Sequence, residues 1–225
     1  MTILILVRHG ETEANVQQIW QGSLDAPLTE RGQKQVSATA SYIAALSQQY
    51  PIHAFYVSPL PRAQSTAAAI AQTIGLYPQI HEALREFDLG EWEGRSFVEL
   101  KEKENLWKRW QTDPWFAPPG GESPRSFNQR AVQAFQHLAE QHPNQTVLAV
   151  THGGLICNVL ASWFGTGPDD WRRWEPHNCA VTILTFDNGQ WRATVVNETK
   201  HLPPDVIVNN DQSAYAEEVP PPNKA

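Results

Sequence analysis

Ile3-Leu4-Ile5-Leu6-Val7, running into Arg8-His9-Gly10, and Thr146-Val147-Leu148-Ala149-Val150, running into Thr151-His152-Gly153-Gly154, are the two stretches that decide the fold. Each is a continuous aliphatic run with no polar alternation, the pattern of a strand buried on both faces in a parallel-type sheet. Each delivers a histidine at its carboxyl end. In α/β proteins the carboxyl ends of strands are where ligands bind, so these ends are the first place to look for chemistry.

Between the two runs, Thr29 is placed to cap a helix through Val36, Ala40, Ile43 and Ala44 to about Leu46. Ala54 to Val57 reads as a short strand and Ser58-Pro59-Leu60-Pro61 as a turn. Ala63, Ala67, Ile70, Ala71 and Ile74 then mark one face of a helix stopped by Gly75, which sets Arg62 at its N-terminal end. Helices are predicted over Phe97 to about Trp110 and Ser126 to about Gln141, separated by a mobile loop holding Pro114, Pro118, Pro119, Gly120 and Gly121. Val181 to Phe186 and Trp191 to Val196 flank Asp187-Asn188-Gly189, a hairpin signal that adds an antiparallel edge to a mixed sheet. From Leu202 on, the last 24 residues hold five of the 17 prolines and no Trp or Phe. Residues 1–201 are therefore expected to form the domain, and 202–225 a Pro-rich tail, draped over the surface or disordered.

The 225 residues suffice for one large α/β domain with a substantial core. With 24 acidic against 17 basic residues, the net charge of −7 argues against a surface that tracks a nucleic acid backbone. Cys157 and Cys179 are too few for a disulfide framework, which fits a reducing compartment. The apolar run ending at Arg8 is too short for a signal-peptide core or a membrane span. A cytoplasmic protein that is not exported and has no membrane partner is expected.

Three strand or helix junctions present Arg8-His9-Gly10, Arg62 and His152-Gly153, and these charges suit an anion. Two guanidinium forks, with backbone N–H groups at helix starts near Arg62 and Gly153, match phosphate best. His9 is either another donor or a nucleophile toward phosphorus. In the second case one ring nitrogen must be held as a donor and the other kept free. Attack would give a phosphohistidine, with Arg8, Arg62 and His152 neutralising the phosphoryl oxygens without a metal. An alkoxide leaving group needs a proton, and Glu86, in Leu84-Arg85-Glu86-Phe87-Asp88-Leu89-Gly90-Glu91-Trp92-Glu93-Gly94, is the chosen acid, ahead of the neighbouring Glu11, Glu91 and Glu93.

Leu6-Val7-Arg8-His9-Gly10-Glu11-Thr12 with Asn15 resembles the signature of the histidine phosphatase superfamily, the phosphoglycerate mutase-like proteins. Gln21-Gly22, Pro27-Leu28-Thr29 with Gly32, Ser58-Pro59-Leu60 with Arg62-Ala63 and Thr66-Ala67, Glu86 with Gly90 and Glu93-Gly94, and Thr151-His152-Gly153-Gly154 continue the resemblance in order over residues 3–201. It implies a three-layer α/β/α sandwich around a mostly parallel mixed sheet. It also implies that His9 is phosphorylated, that Arg8, Arg62 and His152 form the phosphate clamp, and that Glu86 donates the proton. Asn15, Gly22 and Gly153 match positions lining the phosphate pocket. No cofactor is implied.

Rival chemistries fail on spacing. A cysteine phosphatase needs arginine six residues after its cysteine, where Trp163 and Thr185 stand, and His81-Glu82 continues to Arg85 where a zinc-protease helix needs histidine. The other six histidines, His177 and His201 among them, are read as surface or structural groups. Trp107 and Trp110 are read as core, while Trp20 and Trp92 lie where they would shape substrate access. Mutases of the family carry a longer middle insertion with an arginine pair, but Thr112 to Glu122 contains no basic residue. That favours the phosphatase branch. Pro119-Gly120-Gly121-Glu122-Ser123 and the Asn197-x-Thr199-x-His201-Leu202 ending resemble small-molecule phosphatases, with phosphoserine the leading substrate. The partner expected is a small phosphate monoester. A mutase, a non-catalytic sensor of phosphate esters and a homodimer remain open.

Overall fold

The computed structural model describes residues 1–207. Its elements in order are β1 (Thr2–Arg8), α1 (Glu13–Val16), α2 (Glu30–Gln49), β2 (Ile52–Val57), α3 (Pro61–Ile74), β3 (Gln79–Ile80), α4 (Phe97–Glu104), α5 (Leu106–Thr112), α6 (Pro124–Gln141), β4 (Thr146–Thr151), α7 (Gly153–Phe164), β5 (Val181–Asp187) and β6 (Gln190–Glu198). The sheet runs β3-β2-β4-β1-β5-β6. β1 pairs parallel with β4, and β2 parallel with β3 and β4, while β5 and β6 add the antiparallel side.

The two aliphatic runs are adjacent strands at the centre, and their side chains divide between the faces. Leu4, Leu6, Val147 and Ala149 enter one core with Phe127, Phe135, Leu138, Leu155 and Leu160 from α6 and α7. Ile5, Val7, Leu148 and Val150 enter the other with Ala40, Ile43, Ala63, Ala67 and Ile70 from α2 and α3. That is the three-layer α/β/α arrangement, and it explains why neither run alternates with polar residues.

Local chemistry sets the element ends. Thr29 caps α2 through Gly32 N–H, and Ser123 caps α6 through Ser126 N–H, each bond stabilising its helix by about 1 kcal/mol. The β5–β6 turn places Asn188 and Gly189 at φ 49° and 77°, as a two-residue hairpin loop requires.

Three expectations of the sequence reading are corrected by the structure. The single helix expected from Phe97 to Trp110 is two, broken at Asn105, whose φ of 52° closes α4 in the left-handed conformation that asparagine tolerates. The loop expected to be mobile is pinned to the 88–91 turn, with Glu91 N–H donating to Pro119 O at 2.9 Å and Glu122 N–H to Asp88 O at 2.8 Å. The packed body also continues beyond residue 201. Leu202 and Val206 are buried beside Val36 and Cys179, and Gln35 Nε2 donates to Val206 O at 2.8 Å. Residues 208–225, which hold most of the expected tail, lie outside the described residues.

Candidate active site

Strand register brings the two histidines together. Arg8 lies opposite Thr151 in the β1/β4 ladder, and His9 N–H donates to Thr151 O at 3.0 Å. The rings of His9 and His152 leave the sheet side by side, with centroids 5.2 Å apart and planes at 61°. Nδ1 of His9 lies 2.7 Å from the carbonyl oxygen of Gly10. A carbonyl only accepts, so Nδ1 carries the hydrogen and Nε2 of the neutral ring keeps its lone pair.

The guanidinium groups are fixed by loop carbonyls. Arg62, one residue inside α3, donates from Nη1 to Leu24 O and from Nη2 to Gly22 O, both at 2.8 Å. Gly22 has a φ of +52°, and a Cβ there would overlap the Glu93 carboxylate, which accepts from Ser23 N–H at 2.7 Å. Glycine is therefore needed for the loop that seats Arg62. Arg8 Nη1 donates to Pro176 O at 2.5 Å and lies 3.9 Å from Glu175. Gly153 opens α7 directly against Arg8, where a Cβ would come within 3.1 Å of Cζ and Nε.

Arg8, His9, Arg62 and His152 are 8%, 3%, 2% and 0% exposed. Burial, then the charges of Arg62 and Arg8, hold the imidazole of His9 well below its ordinary pKa. Burial and Arg62 are also the leading causes at His152, with His9, Arg8 and Arg130 adding to them. Both rings are neutral at neutral pH. Among the described residues, Arg8 Nε, Arg62 Nε and His152 Nδ1 are buried without a hydrogen-bond partner. An unpaired buried donor costs about 1–3 kcal/mol, so a pocket that gathers two unpaired guanidinium N–H groups beside a histidine suits an oxyanion.

Glu86 faces this cluster across the amino end of α7. Its Oε2 accepts from Gly154 N–H at 3.0 Å and its Oε1 from Phe87 N–H at 2.8 Å. Burial lowers the pKa of the Arg62 guanidinium, and the nearby Glu86 carboxylate acts against that shift. The rival carboxylates have other work. Glu11 binds Arg31 at 2.6 Å and Thr29 at 2.7 Å, Glu93 holds the Ser23 loop, and Glu91 is exposed. Asn15, inside α1, accepts from the N-cap Thr12 N–H through Oδ1, which also accepts from Asn178 Nδ2 at 3.3 Å. His201 stacks on Tyr42 at 4.5 Å and bonds Thr39, and Trp20 packs among Phe87, Phe97, Trp107 and Trp110.

Several site residues carry no role in the sequence reading. Asn178 Nδ2 donates to His9 O at 3.1 Å, and Cys179, at φ 61°, shares its N–H between Arg8 O and His9 O. Ser58 Oγ lies 2.7 Å from His152 Nε2. Gln21 Nε2 donates to Thr12 Oγ1 at 2.8 Å. Ser58 and Gln21 stand inside motifs quoted above, whereas the only signal for Asn178 is a polar residue just before the β5 run. Among the described residues, no three His, Cys, Asp or Glu side chains are grouped to hold a metal ion, and no helix is long and apolar enough to cross a membrane.

Residues 4–199 match the sequence model of the histidine phosphatase superfamily, branch 1. The chain belongs to that superfamily. A bifunctional protein of Mycobacterium tuberculosis is 33% identical to this histidine phosphatase superfamily member over 203 residues, 89% of this chain and 55% of that protein. The chain thus spans about half the length of that relative. A probable phosphoglycerate mutase of Cronobacter sakazakii is 32% identical over 196 residues, 86% of this chain and 89% of the other. Among solved structures, a mutant phosphoserine phosphatase of Entamoeba histolytica in complex with phosphoserine superposes with a TM-score of 0.80 at 31% identity, covering 90% of this chain and all (100%) of that one. A mycobacterial glucosyl-3-phosphoglycerate phosphatase in complex with VO3 gives 0.75 at 30% identity, covering 88% and 99%.

Proposed function

We propose that the chain is a phosphomonoesterase that hydrolyses a small phosphorylated metabolite through a phosphohistidine on His9, with phosphoserine as the leading substrate. The observation that carries this reading is the tautomer of His9. The Gly10 carbonyl takes the Nδ1 hydrogen and leaves the Nε2 lone pair for a phosphorus atom beside the buried Arg8, Arg62 and His152 nitrogens.

Nε2 attacks phosphorus as the ester P–O bond breaks, and the protonated Glu86 gives its hydrogen to the departing alkoxide. The resulting Glu86 carboxylate then takes a proton from water as the oxygen attacks phosphorus. The P–N bond breaks, releasing inorganic phosphate and restoring both residues. The two guanidinium groups and His152 stabilise the charge on the transferring oxygens, and the amino end of α7 adds its dipole. Asn15, Gly22 and Gly153 complete the pocket wall. Residues 112–122 contain no basic side chain to hold the second acidic group of a bisphosphate, which favours water over a second hydroxyl as acceptor. Phosphoserine is supported by the solved relative bound to it.

A panel containing phosphoserine, 3-phosphoglycerate, other phosphorylated carboxylates and sugar phosphates tests the reading in excess chelator. Inorganic phosphate is expected from phosphoserine with the highest kcat/KM. Transfer of the phosphoryl group between hydroxyls of phosphoglycerate without phosphate release would establish the mutase instead. Tight ester binding with no turnover would establish a sensor.

A further inference from the structure

Residues 83–88 carry Glu86 but have no strand partner among the described residues: a 3-10 turn over Glu82–Leu84 is followed by extended backbone at Arg85. Their polar groups need partners from elsewhere. Thr151, the last residue of β4, donates from Oγ1 to Leu84 O at 2.7 Å. Arg130 of α6 donates from Nη1 to Ala83 O at 3.0 Å and Arg85 O at 2.8 Å, and from Nη2 to Glu86 O at 3.2 Å. Its Nε donates to Glu122 Oε2 at 3.1 Å and its Nη2 to Glu122 Oε1. All five N–H donors of a guanidinium are then used, so none remains for a phosphate.

Glu122 closes the ring. Its Oε1 accepts from Asp88 N–H at 3.1 Å and its own N–H donates to Asp88 O at 2.8 Å. The backbone before and after Glu86 is thus gripped by one ion pair, only 16% and 11% exposed, with the Phe127 ring 5.0 Å from the guanidinium carbon. From the other side Glu86 reaches Gly154 N–H. Resting on the reading of Glu86 as proton donor, we propose that Arg130 and Glu122 are positioning residues that hold the Glu86 carboxyl at the amino end of α7, within reach of the leaving oxygen. Charge alone does not suffice for this task. A lysine ammonium cannot span three carbonyls and a carboxylate as the planar fork does.

The test compares Arg130→Lys, Glu122→Gln and Glu86→Gln by kcat/KM on phosphoserine and on p-nitrophenyl phosphate. This ratio covers the steps through expulsion of the leaving group, and only the alkoxide needs a proton to depart. Each variant is expected to lose about tenfold or more on phosphoserine, by misplacing or removing the acid, and less than about threefold on the aryl ester. In the Glu86→Gln background, Arg130→Lys is expected to change the ratio of the two esters no further. Folded Arg130→Lys and Glu122→Gln proteins that slow both esters equally would overturn the proposal, and a selective Glu86→Gln would leave the proton-donor reading standing. A Glu86→Gln protein without selectivity would overturn both. If Arg130→Lys does not fold, Glu122→Gln carries the same comparison, with the same two outcomes.

Discussion

The His9 and His152 side of the pocket is fixed by strand ladders, whereas the Glu86 side is fixed by side chains of Glu122, Arg130 and Thr151 reaching a segment with no ladder of its own. On the first side Leu4 to Val7 and Val147 to Val150 are fully buried and paired along their length. Such central strands open only with global unfolding, while a segment held by side-chain bonds answers to single substitutions. The difference separates the two chemical tasks. The two histidines sit on the part of the fold that tolerates no adjustment, and the proton donor sits on the part whose position is tunable.

The strongest way to break this division is to remove the nucleophile from its rigid mount. His9→Ala is expected to lower kcat/KM by about four orders of magnitude or more on aryl and alkyl esters alike. Acid-labile labelling from a phosphate ester should disappear with it. The ladder bonds at this position are made by backbone, so circular dichroism should match that of the parent. Persistent labelling in the variant would move the nucleophile elsewhere.

A finer test uses adjacent glycines, one on each side of the division. A Cβ on Gly153 would come within 3.1 Å of the Arg8 guanidinium, while one on Gly154 would overlap Glu86 Oε1. Gly153→Ala is expected to weaken the phosphate clamp and lower kcat/KM on both esters by about tenfold, the scale of a sub-ångström displacement. Gly154→Ala is expected to spare the aryl ester and slow the alkyl one by a similar factor. Identical profiles for the two variants would mean that the clamp and the acid move as one body.

The same division governs what the sequence discloses. The aliphatic runs announce doubly buried strands because burial on both faces admits no polar alternation, and Arg8-His9 and Thr151-His152 come with them. Arg62 is placed at the start of its helix by the Ser58-Pro59-Leu60-Pro61 turn and the apolar face from Ala63 to Ile74, and the hairpin is placed by Asp187-Asn188-Gly189. Glu86 is legible only through the motif resemblance, since nothing in its own stretch distinguishes it from Glu91 or Glu93. Arg130 is one polar residue on an amphipathic helix, and Glu122 one of many beside glycine. Their partnership spans a loop and reaches carbonyls more than 40 residues away in sequence. Asn105 and β3 escape for a different reason. A single left-handed residue leaves helical spacing intact on either side, and a two-residue strand is too short to show a period.

Proton linkage gives the smallest effect, led by the two ladder-mounted rings. The folded pKa of His9 and of His152 lies well below that of an unfolded histidine, about 6.5. Below that pH the unfolded chain binds protons that the folded chain refuses. Stability is therefore whole above about pH 6.5 and falls as the pH drops from there toward the folded values, by up to about 1.4 kcal/mol per pH unit for each ring. His81 and His201, whose pKa values burial also lowers, contribute in the same direction. Urea midpoints measured between pH 7.5 and pH 5.5 should decline more steeply in the parent than in His9→Ala, which has lost one of the refusing rings. Inorganic phosphate should flatten the parent's decline, because an anion between the guanidinium groups offsets the part of the shift that their charges add to that of burial. Parallel declines for the two proteins would show that the His9 ring takes up protons alike in the folded and unfolded chains, and the lone pair assigned to its Nε2 would then need another explanation.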